Sequence, residues 1–165
     1  IMLAGCSSSS DITSYIPFMG KDKKVIDIDK DKIDQKSYAA AYEATVATYK
    51  DRVTKNFFVD NFASGANDWY LGRIVVPIKQ IQDKLYTGGH DSDVYAYYSG
   101  VLHAEALQTN FSRLSANCWQ KVDSPSVTQG IYDAMRDLQQ GKERGENDAY
   151  ISQGSEMLLK ACTGQ

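Results

Sequence analysis

Aromatic and aliphatic residues recur at helical spacing through most of this chain, and that period restricts it to an α-helical fold. Tyr42, Val46, Tyr49, Val53 and Phe57 fall on one helical face. Phe58 and Phe62 extend the stripe towards an expected stop at Ser64-Gly65. A second stripe holds Tyr70, Ile74, Ile78, Ile81 and Leu85, with Pro77 inside it. An internal proline removes a backbone donor and clashes with the preceding turn, so a kink or a junction between two helices is expected there. Thr87-Gly88-Gly89 ends that element.

The second half repeats the pattern. Asp91 or Ser92 is expected to cap a helix, with Asp93 favouring its positive end. Val94, Tyr98, Val101, Leu102, Phe111 and Leu114 would line its inner face, and Gly100 would let another helix approach. Ser124-Pro125 reads as a capping serine followed by proline at the first helical position. Ile131, Met135 and Leu138 form that helix's stripe, and Gly141 ends it. Asn147 would cap the last helix, with Tyr150, Gly154, Leu158 and Ala161 inward and Cys162 at its close. The expectation is an all-α domain of about five helices in a small bundle over residues 35–165.

The chain has 165 residues, enough for one domain and too few for two. A net charge of −3 without a basic run argues against nucleic acid as a partner. No apolar stretch of about 18 residues is present to span a bilayer. Tyrosine dominates the aromatics, with 11 Tyr against 5 Phe and 2 Trp. Its ring and hydroxyl suit half-buried helix seams and recognition surfaces alike. Trp69, Tyr97, Trp119 and Tyr132 are the candidate partner-contact residues, although core packing is the commoner role for each.

Leu3-Ala4-Gly5-Cys6, followed by Ser7-Ser8-Ser9-Ser10, resembles the lipobox of bacterial lipoproteins. The resemblance implies that residues 1–5 are a remnant of the signal peptide and that Cys6 carries the lipid. It implies a lipidated tether over residues 6–34 and an address in the cell envelope. Ser7 stands where aspartate would look like an inner-membrane retention signal, so the resemblance points to the outer membrane, facing the periplasm. Within the tether, Val25-Ile26-Asp27-Ile28 reads as a short strand or a solvated linker. Asp27, Asp29 and Asp31 imitate the start of a calcium loop, but Lys32 replaces the needed glycine and Tyr38 the needed glutamate.

With Cys6 taken as the anchor, Cys118 and Cys162 remain as an even pair. In an oxidising envelope they are expected to form a disulfide. That bond would close a hairpin of the last two helices at its open end, stabilising it by about 4 kcal/mol on the chain-entropy model. The alternatives are two buried thiols or a metal pair. Metal is disfavoured, because the spacing is not CxxC and no histidine lies nearby.

Catalytic signatures are lacking in the sequence. His90 and His103 are the only histidines, and their spacing does not place them on one helical face. There is no nucleophile elbow and no phosphate-cradling glycine loop. The carboxylates read as a solvated face. No metal, cofactor or catalytic residue is expected.

The order Tyr97-Tyr98-Ser99-Gly100-Val101, Cys118-Trp119, Ser126-Val127-Thr128-Gln129-Gly130-Ile131 and Leu158-Leu159-Lys160-Ala161-Cys162 is similar to the helical periplasmic immunity proteins of type VI secreted amidases, the Rap/Tai group. It departs from them in lacking a proline directly after Cys118 and Phe-Pro before Cys162. In size, serine tether and address the chain also resembles plasmid-borne exclusion lipoproteins. These resemblances imply a lipid-anchored, non-catalytic envelope protein that binds a protein partner and blocks an incoming toxin or conjugation component. The alternative is a structural accessory lipoprotein of an envelope or secretion assembly.

Overall fold

The computed structural model describes residues 24–87 and 92–164. Among these residues lie six α-helices and two short 3-10 turns, with no strand. The helices are α1 (Gln35–Tyr49), α2 (Val59–Tyr70), α3 (Ile78–Thr87), α4 (Asp93–Leu114), α5 (Ser124–Gln140) and α6 (Ala149–Thr163). The 3-10 turns are Lys30–Lys32 and Cys118–Lys121. The all-α expectation therefore holds, with one helix more than the periodicity suggested.

The extra helix comes from a break the stripe concealed. The chain leaves α1 at Lys50 and re-enters a helix only at Val59. Asp51 takes a left-handed φ of 66°, a conformation that Asp tolerates better than bulkier residues. Val53 and Phe57 still pack on the core from this non-helical stretch, so the apolar spacing survives while the helix does not.

Ser64-Gly65 is no stop; it lies inside α2. Gly65 and Gly100 bring α2 and α4 into backbone contact. A methyl built on Gly65 would overlap the Tyr97 carbonyl, and one on Gly100 would overlap the Phe62 carbonyl. At Pro77 neither a kink nor a meeting of two helices is found: α2 ends at Tyr70, residues 71–77 are non-helical, and α3 begins just after the proline. Ile81 buries α3, which packs chiefly on α4.

Ser92 caps α4, its hydroxyl accepting from the Tyr95 N–H at 2.9 Å. The other candidate, Asp91, lies outside the described residues. The buried face of α4 is shifted from the expected one. Val101 and Phe111 are buried, but Val94 is exposed, and Ala96, His103, Ala104 and Leu107 fill the seam. At α5 the cap is Asp123 rather than Ser124, and at α6 it is Asp148 rather than Asn147. In both, a carboxylate one residue earlier or later reaches the free N–H groups and meets the positive helix end. Ile151 buries α6 where Tyr150 was expected to do so.

α1 is the central helix of one half and packs on both α5 and α6, whereas those last two helices barely touch. The Cys118–Cys162 disulfide is present, with Cα atoms 4.9 Å apart. It links the last two helices as expected, tying the end of α6 to the turn that leads into α5, but the two helices pack on α1 rather than on each other.

α1 and α5 begin side by side and run the same way. Each opens with Asp-x-x-Ser: Asp34 to Ser37 and Asp123 to Ser126. Each serine hydroxyl donates to the aspartate of its own helix. Each also accepts the aspartate N–H of the other helix, at 2.9 Å in both directions.

Candidate functional site

Tyrosine–aspartate pairs join the helices. Tyr38 donates to Asp133 at 2.6 Å and Tyr42 to Asp137 at 2.7 Å, both between α1 and α5. Tyr132 donates to Asp60 at 2.7 Å, linking α5 to α2, and Tyr97 donates to Asp68, linking α4 to α2. Burial and the neighbouring carboxylates push these hydroxyls up, Tyr42 and Tyr132 to about 12. They stay protonated and keep donating.

Arg144 covers the first two pairs. Its guanidinium stands over the Tyr42 and Tyr38 rings at 4.8 and 5.6 Å and donates to the Tyr38 hydroxyl at 2.8 Å. Its backbone N–H donates to the Tyr42 hydroxyl. The charged turn after Gly141 is thereby fixed on the bundle.

Residues 25–34 lie along α5, antiparallel to it. The Val25 N–H bonds the Tyr132 hydroxyl, the Ile28 N–H donates to Gln129, and the Asp34 N–H donates to Ser126. This stretch was expected to be tether. It forms no strand, and three of its backbone N–H groups bond side chains of α5.

Two grooves flank this arrangement, and both include Lys24, Arg136 and Gln140. One, of about 690 Å³, adds Phe57, Phe58, Asp60, Asn61, Tyr132 and Gln139. The other, of about 670 Å³, adds Lys30, Lys142, Arg144, Asp27, Asp133 and Asp137. This face of α5 is the candidate site. It offers exposed cations, an exposed Phe58 edge and amide side chains; the paired carboxylates are engaged by tyrosine hydroxyls.

Of the four candidate contact aromatics, Tyr132 alone lies at this face: it is buried against Asp60, and the pair lines the floor of the first groove. Tyr97 is held by Asp68, and Trp69 donates its indole N–H to Gln108 at 2.9 Å. Trp119 stacks against Tyr70 and Phe111 with ring centroids 5.1 and 6.1 Å away. Each fills a seam between elements. The residues that do line the face, Arg136, Arg144, Asp133 and Asp137, were passed over as a solvated surface. Their signal was a matched spacing: Tyr38 and Tyr42 four apart on one helix, Asp133 and Asp137 four apart on another.

His103 is a core residue. The rings of Tyr49 and Phe62 lie 5.3 and 5.6 Å from it, and burial pulls its pKa down to about 4. Thr45 gives its hydroxyl proton to the Ala41 carbonyl, so His103 Nε2 carries a proton and donates to Thr45 at 2.8 Å. His90 and Cys6 lie outside the described residues. Among the described residues, no three His, Cys, Asp or Glu side chains are grouped to hold a metal ion.

A protein of Haemophilus influenzae, described only as uncharacterized, is 83% identical over 165 residues, which is all of this chain and 93% of that protein. No solved structure matches. The likeness to immunity proteins draws no support from these matches. A family described as uncharacterised lipoprotein matches residues 31–164, most of the helical domain. The chain belongs to that lipoprotein family, and with it to the lipid-anchored proteins of the cell envelope.

Proposed function

We propose that this chain is a non-catalytic binding protein, anchored through a lipid on Cys6 to the outer membrane, that captures an incoming protein. Its partner is a delivered toxin or a conjugation component, the classes implied by the resemblances of the second half and of the tether. One observation carries the binding reading over a catalytic one. The polar side chains inside the bundle hold helices together: four tyrosine–aspartate pairs, two exchanged caps and a neutral buried histidine. What is left for recognition is the groove with Phe57, Phe58, Arg136 and Gln139, an aromatic and arginine mixture typical of protein contacts.

The test is a challenge in co-culture. Cells lacking the gene should suffer at least tenfold more killing or plasmid uptake from a competitor that delivers the cognate toxin or plasmid. Phe58→Asp should reproduce the loss while the protein stays folded and anchored. Equal killing and equal uptake with and without the gene would refute the role and favour a structural accessory of an envelope assembly.

A further inference from the structure

We propose that the groove between residues 24–30 and the end of α5 docks on the phosphate-bearing headgroups of an anionic lipid surface. The inference rests on the anchoring reading and adds a second contact with the same membrane.

Five cations line this groove: Lys24, Lys30, Arg136, Lys142 and Arg144. Three carboxylates face them: Asp27, Asp133 and Asp137. The local balance is therefore +2 on a chain whose total is −3. Two of the carboxylates, Asp133 and Asp137, accept hydrogen bonds from Tyr38 and Tyr42. Arg144 is held over the tyrosine rings. Lys24, Lys30, Arg136 and Lys142 have no carboxylate within ion-pair distance among the described residues. The three lysines are exposed and Arg136 is half-buried, so the groove presents unneutralised positive charge outward.

The position of the groove in the chain selects the occupant. Lys24 lines it, and Lys24 lies 18 residues after Cys6 in the sequence. The stretch from Cys6 to Lys24 can reach at most about 60 Å. A lipid on Cys6 would keep these cations close to headgroups at high effective concentration, so weak individual attractions add up. A soluble phosphate or an acidic protein would gain nothing from that tether.

The experiment uses the full chain with Cys6→Ser, which removes the acyl anchor and leaves only the groove. Its partition is measured on vesicles of phosphatidylethanolamine with phosphatidylglycerol and on vesicles of phosphatidylcholine alone. Binding is expected to the first only, weakening as salt rises. Lys30→Glu and Lys142→Glu should each lower it about fivefold or more. Lys79→Glu, on exposed α3, should leave it unchanged. Equal binding to both vesicles, no effect of the groove reversals, or an equal effect of Lys79→Glu would overturn the proposal. Displacement by inorganic phosphate beyond that by sodium chloride of equal ionic strength would assign the groove to a soluble anion instead. Binding to polyglutamate but not to anionic vesicles would assign it to an acidic protein. None of these outcomes depends on acylation of Cys6, so the anchoring reading stands or falls separately.

Discussion

Ser37 and Ser126 exchange helix caps across the α1–α5 contact. Each accepts the N–H of the aspartate that opens the opposite helix, and both hydroxyls are fully buried. Removing either one leaves a part-buried N–H without its acceptor and an aspartate with one donor fewer. Ser37→Ala or Ser126→Ala should therefore cost about 1–3 kcal/mol in urea unfolding. The double variant should cost less than the sum, because the two serines belong to one network. Strict additivity would show that the caps act independently.

Tyr42 occupies a similar crossing point. Its hydroxyl donates to Asp137 and accepts the Arg144 N–H, so Tyr42→Phe breaks both bonds. The expected loss is about 1–3 kcal/mol, with the 141–148 turn losing amide-exchange protection before the rest. Tyr86→Phe, at a ring 92% exposed, is the reference and should change nothing.

The helical class, the helix starts near 35, 93 and 124, the stop at Gly141 and the close approach at Gly100 were legible from residue spacing and type, and the Cys118–Cys162 pair from the lipobox resemblance, which sets Cys6 aside. The break after Tyr49 was not, because Val53 and Phe57 keep the helical interval while packing from a loop. The order of packing was not legible either: nothing local tells α5 and α6 to share α1 rather than each other. The candidate site was largely missed. Asp133 and Asp137 look like exposed acids until Tyr38 and Tyr42 are seen opposite them. The tryptophans and tyrosines drew attention by residue type, yet they serve the seams.

His103 makes stability depend on pH. Its folded pKa is about 4, below the ordinary value near 6.5. Between those values the unfolded chain binds a proton that the folded chain does not, so stability falls as pH drops through that window. The loss from pH 7 to pH 5 should be about 2 kcal/mol from this residue. His103→Gln should flatten the dependence, whatever its cost at pH 7. An unchanged slope in that variant would place the titrating group elsewhere.

The disulfide closes a long loop, with the two cysteines 44 residues apart. Reduction, or Cys118→Ser with Cys162→Ser, should lower stability by up to about 4 kcal/mol. The free end of α6 should open first, since its last turn is where the bond is made. Loss of protection in α5 before α6 would contradict this geometry.

The account stands on where this chain is tethered. Intact-mass analysis of the protein extracted from the envelope of its own cells measures that directly. The predicted result is a mature chain beginning at Cys6, heavier by a diacylglyceryl group, with Cys118 and Cys162 oxidised. An unmodified Cys6 within an uncleaved chain would contradict it.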